Sequence, residues 1–564
     1  MTKRDLRLDD KMRVLALAAA CAGSHSAYAF ELDTADPDLY VRWDNTVKYS
    51  AAWRVKDRSA GLTSGDPFAS NFDDGDRNFD KGLISNRLDL LSELDLVYKQ
   101  SYGFRISGAG WYDDVYNKSN DNDSPATSNR AQGAYDEFSH DTRDLHGRKA
   151  ELLDAFVFGG FDIGSTRLNL RLGQHSLQWG ETLYFGANGI AGAMAPVDVI
   201  KLTSVPGTQF KEAILPVPQI SAQWQLTDNV SLGAFYQLRW DASRLPAAGS
   251  YFSGLDFQPE GGEEMLFGPL TSHRISNQDA KNSGQGGLQL RFTYADTDFG
   301  LYLVRFHSKT HQLISNLGLR HLPDGSVLTD SSGAPVIAPV SYRMVYNEGI
   351  TAFGASASHT FGPMQVSTEA SIRHNQDLAT SGGVDLGLLT GTSLVNDNHH
   401  HPAYATGKTA HFNISTIWTL PSTALAREAT FTGEYMWNRV LSVDKNREAI
   451  DPNATRDASA VRFVLEPTYR QVLSGLDLSV PIGVGYSPKG SRSMALGPSL
   501  PAEGGGDFSV GVNGNYLGTW NFSLAYNHFF GPERPFLAGE SPTFGYGQYL
   551  KDRDFVAMSV RRTF

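Results

Sequence analysis

The sequence predicts an all-β fold, a closed antiparallel barrel that spans a membrane. Three observations predict it: strands that alternate apolar and polar residues, connections that alternate short and long, and a last strand ending on an aromatic. Residues 554–564 (DFVAMSVRRTF) show the first and third together. Val556, Met558 and Val560 lie on one side, with Arg562 as the exception, and Ala557, Ser559, Arg561 and Thr563 lie on the other. One side for lipid, one side for water and a terminal Phe564 make the closing strand of an outer-membrane barrel, and an assembly signal for the barrel assembly machinery. The competing fold is a soluble sandwich with this segment as its edge strand.

Upstream strands repeat the pattern. In 41–55, Val41, Trp43, Val47, Tyr49, Ala51, Trp53 and Val55 share a side against Arg42, Asp44, Thr46, Lys48, Ser50 and Arg54. In 88–99, Leu88, Leu90, Leu94, Leu96 and Tyr98 oppose Asp89, Glu93, Asp95 and Lys99. In 230–240, Val230, Leu232, Ala234, Tyr236, Leu238 and Trp240 oppose Ser231, Gln237 and Arg239. A helix needs spacings of three and four, so period two means strands. Short turns fall near 100–103, 162–166, 227–229, 296–298, 361–363, 473–475 and 517–518. Long polar stretches fall at 56–82, 117–148, 177–216, 241–284, 309–345, 374–408, 441–459, 487–506 and 530–552. Short periplasmic turns and long outer loops give about 18 strands, with 16 as the alternative and both termini periplasmic. Two places resist: Asp154 shares a side with Phe156 and Phe158, and Pro467 and Pro481 fall inside strands, where proline implies a bulge or an end.

The N-terminus reads as a secretory leader. Lys3, Arg4, Arg7, Lys11 and Arg13 precede a short apolar core, 14–23, and Ala27-Tyr28-Ala29 is a small-x-small cleavage site. Residues 1–29 are then the signal peptide and 30–564 the barrel domain. The single cysteine, Cys21, lies in the leader, with acylation there as the alternative. Cleavage leaves no thiol for a disulfide or a thiolate metal site. The leader holds five basic and three acidic residues, so removing its +2 from the chain's −12 leaves −14. Such acidity argues against a nucleic-acid partner. Past the leader no apolar run approaches the ~18 residues of a spanning helix.

The segments LISNRLDLLSELDLVYK (83–99), LLDAFVFGGFDIG (152–164), LRLGQHSLQWGETLYF (170–185), APVDVIKL (195–202) and 210–240 resemble a family of Gram-negative outer-membrane proteins, domain-of-unknown-function family 1302. The similarity is close over about 40–255 and looser through the later strands, while loops 257–283, 309–340 and 376–408 are particular to this chain. The resemblance implies an outer-membrane barrel in contact with lipid and lipopolysaccharide. It also implies a periplasmic or outer-membrane lipid-binding-type partner, a resistance-nodulation-division transporter, and hydrophobic compounds as the theme. It carries over no catalytic or ligand residue.

One loop stands out. Segment 180–218 is too apolar to wave in water, so it is expected to fold into the lumen and narrow it, with Pro196 opening a helix over 197–202. Its polar members, Glu181, Asn188, Asp198, Lys201, Lys211 and Glu212, then face the wall or a passing solute, or pair among themselves to hold the loop down. Arg171, His175 and Trp179 are candidates for the opposing surface, and Leu183, Tyr184, Phe185, Ile190 and Met194 for an apolar resting place. The acidic run NFDDGDRNFDKG lacks the glycine and glutamate positions of a calcium loop, counted from Asp74. His399-His400-His401 reads as a loop tip rather than a metal site. No GxSxG elbow, phosphate loop, dinucleotide fingerprint or zinc signature occurs. The expectation is a non-enzymatic channel, without cofactor or metal, for small hydrophobic or amphipathic molecules. The alternatives are a structural or adhesive protein with a sealed lumen and a surface esterase.

Overall fold

The computed structural model describes residues 30–32, 34–64, 69–208, 210–322, 324–391, 397–398, 400–424, 426–538 and 543–564. The leader and His399 lie outside them. Eighteen antiparallel strands form the barrel wall: β1 Leu39–Arg54, β2 Gly82–Tyr98, β3 Tyr102–Asp113, β4 Arg148–Ile163, β5 Thr166–His175, β6 Val217–Thr227, β7 Val230–Gln237, β8 Gln285–Tyr294 and β9 Thr297–Phe306. The wall continues with β10 Ile350–Phe361, β11 Met364–Asp377, β12 Thr406–Leu420, β13 Glu428–Lys445, β14 Asp457–Leu473, β15 (Leu476–Ser479 and Ile482–Ser487), β16 Gly505–Tyr516, β17 Trp520–Phe530 and β18 Phe555–Thr563. Each strand pairs with the next, and β18 returns to β1 to close the ring. In that seam Val556 faces Trp53 and Thr563 faces Thr46, while Asn45 and Phe564 exchange backbone hydrogen bonds of 2.7 and 2.9 Å.

The alternation read from the sequence is the wall's inside and outside. On β1, Asp44, Lys48, Ser50 and Arg54 are buried inward, while Trp43 is 47% exposed on the outer side. Leu90, Ile106, Val157, Leu172, Leu288, Leu301, Phe353 and Leu524 continue that exposed apolar belt around the ring. Such a belt is stable only against acyl chains. Arg562, the odd residue on the outer side of β18, lays its guanidinium over the Trp520 ring at 5.0 Å, which gives the charge a partner at the turn end.

Both resistant places have a physical cause. A bulge in β4 sets residues 153 and 154 against Ser107, so Glu151, Asp154 and Phe156 all turn inward. The two prolines share one gap in the ladder between β14 and β15. Thr468 pairs with Ser479 and Leu465 with Ile482, and in the gap the Val480 N–H donates to the Pro467 carbonyl at 3.0 Å.

The connections at the turn end are short, such as 99–101, 164–165 and 295–296, and those at the opposite end are long. The long ones are more ordered than plain loops. Glu264–Phe267, Leu270–Arg274, Gln312–Leu319, Ile337–Val345 and Val384–Asp385 form a second, five-stranded sheet from three separate loops. Its apolar side packs Met265, Tyr342 and Met344 against Phe72, Leu255 and Phe257.

Candidate functional site

An 18-stranded ring is wide enough to hold water, so what lines and crosses its interior decides what passes. The inward sides of β5 to β9 are polar: Arg171, Gln223, Gln289, Arg291 and Asp298 follow one another around the wall. On β2 to β4, Arg105 gathers Glu93, Asp95 (3.3 Å) and Asp154 (3.4 Å).

The connection between β5 and β6 makes its hydrogen bonds to strands far around the ring. On β11 the Glu369 carboxylate accepts the Glu181 N–H at 2.8 Å and the Ile190 N–H at 2.5 Å. On β13 one oxygen of Glu434 accepts the N–H groups of Leu183, Tyr184 and Phe185 at 3.1, 2.5 and 3.0 Å. Arg373 donates to the carbonyls of Ala187 and Gly189 at 3.0 and 2.8 Å. Asn188 is fully engaged: it donates to Asn413 at 2.9 Å, and its oxygen meets His411 at 2.9 Å and Asn438 at 3.2 Å. Backbone amides without secondary structure need partners when buried, and here charged wall residues supply them. The apolar side of the same stretch packs Trp179, Ile190 and Met194 against Phe235, Tyr302 and Ile350.

The other sequence-selected residues divide by role. Arg171 is exposed inside the ring, with its guanidinium over the Phe156 ring at 5.7 Å. His175 is buried, one ring nitrogen 2.8 Å from Ser221 Oγ and the other 3.0 Å from the Gly173 carbonyl. Trp179 meets Phe235 edge-on, with centroids 5.1 Å apart. The Glu181 carboxylate stands 4.0 Å from Arg291. Asp198 and Lys201 join an ion network: Asp198 to Arg244 at 3.2 Å, Arg244 to Glu151 at 2.6 Å and Lys201 to Glu151 at 3.5 Å. Asp198 also caps the short helix Val199–Ser204 by accepting the Lys201 N–H at 2.9 Å. The helix therefore starts later than Pro196 suggests, because residues 196–197 are tied as a bridge to 214–215. Glu212 lies 3.9 Å from Lys48 on β1 and 4.0 Å from Arg561 on β18, and the side chain of Lys211 lies outside the described residues. Asp198 and Lys201 thus enter ion pairs that hold the loop, while Glu181 and Arg291 border open space.

That space is a cavity of about 490 Å³ lined by Trp179, Glu181, Gln223, Gln289, Arg291 and Tyr302, among others. Sequence reasoning missed Glu369, Arg373, His411, Asn413 and Glu434, which hold the segment. The available signal was parity: Glu369 falls on the inward side between Ser367 and Ser371, a charge where small hydroxyls are the rule.

No curated protein matches the chain. Among solved structures it is similar to OccAB1 of Acinetobacter baumannii (8% identity, 93% of this chain and 96% of that one, TM-score 0.43). It is also similar to OpdK of Pseudomonas aeruginosa (10%, 93% and 98%, 0.39) and to the outer-membrane channel DcaP of A. baumannii (9%, 95% and 100%, 0.37). Residues 11–564 match the family described as "Protein of unknown function (DUF1302)".

Proposed function

The chain belongs to the DUF1302 family, and we propose that its barrel is an outer-membrane channel that passes small hydrophobic or amphipathic molecules through a lumen narrowed by segment 180–218. The observation that carries this reading is the use of Glu369 and Glu434 to fix an otherwise apolar stretch by its backbone. Fixing residues 183–185 from their amides leaves the Tyr184 side chain for other work. Tyr184 remains 36% exposed beside Arg462, whose guanidinium is 5.8 Å from the ring. A solute with an apolar body and a polar head finds rings and charges side by side along such a path: Tyr184 with Arg462, Phe156 with Arg171, and Trp179 near Arg291. Selectivity then follows from pore width and from the groups lining it. On this reading passage is downhill, or is drawn by a periplasmic lipid-binding-type carrier and an inner-membrane transporter of the resistance-nodulation-division type.

Proteoliposomes test it. Uptake of small amphipathic solutes should exceed that of a sugar of equal size, and Arg171→Ala should lower the first and spare the second. Uptake equal to that of protein-free vesicles for every solute would favour a sealed structural protein instead. A deletion strain screened on hydrophobic carbon sources would then narrow the substrate.

A further inference from the structure

The loop after β1 buries more acid than its neighbours neutralise. Within it Asp74–Arg77 forms a single helical turn against residues 249–258 of the loop after β7: the Asp74 N–H donates to Asp256 at 3.1 Å and Asn78 to the Gly249 carbonyl at 2.8 Å. Gly75 permits the approach, since a Cβ there would stand 2.9 Å from the Ser250 carbonyl. Three guanidinium groups enter this contact. Arg54 and Arg553 meet Asp76 at 2.9 and 3.2 Å, Arg54 also meets Asp552 at 3.0 Å, and Arg77 meets Asp73 at 2.5 Å. Among the described residues no cationic side chain comes within 4.0 Å of the carboxylates of Asp74 or Asp256, and the nearby Arg130 is taken by Glu263. Five buried carboxylates thus face two buried guanidinium groups and the half-buried Arg77, an excess of two negative charges.

The excess is concentrated. Asp73, Asp74 and Asp256 each bring a carboxylate oxygen within 4.8 Å of the other two, and all three are buried. Oδ1 of Asp73 and Oδ1 of Asp256 have no hydrogen-bond partner, and the Thr127 hydroxyl, which lies close to the Asp73 carboxylate, donates to Ser124 Oγ at 2.9 Å. The amide oxygen of Asn129, a residue 2% exposed, also lacks a donor, although its backbone N–H reaches Asp74 at 3.4 Å. Buried oxygens left without donors carry the full cost of desolvation. Burial holds all three carboxyls above the usual carboxylate range, and mutual repulsion adds to this for Asp74 and Asp256.

We infer that Asp73, Asp74 and Asp256 form a calcium site, with the amide oxygen of Asn129 as a neutral ligand, that fastens the first outer loop to the fourth. A divalent cation cancels the two-charge excess. An all-oxygen donor set from separate segments suits calcium, which takes about 6–8 oxygens at irregular angles, better than magnesium with its strict octahedron. A search for ligands at alternate positions in one loop cannot find this site, because Asp256 lies 182 residues from Asp74.

Calorimetric titration of the chelator-treated, detergent-solubilised full-length barrel with calcium chloride tests the site. One saturable site per chain is expected, weakened at least tenfold in Asp256→Asn and Asp74→Asn and unchanged in Asp80→Asn, whose carboxylate lies on the exposed end of the same loop. Calcium on co-purifying lipopolysaccharide is common to all variants, so the difference between them isolates the site. Equal binding by wild type and Asp256→Asn would overturn the inference. Should the variants not assemble, the wild type decides by itself: chelator should open protease cleavage within 69–80 or 249–258, and an unchanged cleavage map would refute the site. Magnesium matching calcium in affinity would overturn the choice of ion.

Discussion

Single residues decide whether the connection between β5 and β6 stays in place. Glu434 is 1% exposed, and one of its oxygens serves three backbone N–H groups. Glu434→Ala would leave those groups without an acceptor, at about 1–3 kcal/mol for each one that water does not reach. The expected outcome is noisier single-channel current and protease access to 181–195, with Glu434→Gln milder because it keeps an acceptor oxygen. Quiet traces from Glu434→Ala would show that the segment is held by its apolar contacts alone. In the outer loops Asp74 gives a pH dependence. Burial first, then the charge of Asp73, raises its carboxyl to about 7, against hydrogen bonds from Asn129 and Asn122 and the field of Arg130. The released loop would lose that proton near 3.8. The docked loop therefore binds more protons across that window, and docking weakens as the pH rises through it. In chelator, proteolysis of 69–80 should be faster at pH 8 than at pH 5. The opposite order would mean that these carboxyls are not protonated when docked.

At the scale of elements, β18 carries the closure. Its outward Val556, Met558 and Val560 meet lipid, and Phe564 is fixed to Asn45 by two backbone hydrogen bonds. Deleting Phe564 removes both bonds and the terminal aromatic, and should lower the yield of heat-modifiable barrel in outer-membrane fractions; wild-type yield would contradict this role. The strands were legible because a two-sided wall forces period two onto the sequence, and β1, β2 and β7 show it over most of their length. Their irregularities were visible but not interpretable. Pro467 and Pro481 mark the same gap, yet only the register of β14 on β15 reveals that they oppose each other's neighbours. The bulge at 153–154 likewise needs β3 beside it to be seen.

For the whole molecule, what the sequence hides is contact between distant segments. Residues 313–317 and 342–344 alternate like strands, but in polar surroundings they read as loop; they pair with each other, and their further partners come from two other loops. The candidate site divides along the same line. The apolar character of 180–218 is local and readable, whereas its anchors on β11 to β13 lie about 180–250 residues away along the chain. Arg171, Glu181 and Asn188 were identifiable by polarity and position, but not that Asn188 is an anchor between Asn413, His411 and Asn438.

Planar-bilayer conductance of the wild type against a variant lacking residues 186–195 tests the central claim most directly. Removing the stretch fixed by Arg373, Glu369 and the Asn188 cluster should widen the pore and raise the single-channel conductance several-fold, with the variant still heat-modifiable. Conductance unchanged in a correctly assembled variant would mean that this segment does not limit the path through the barrel.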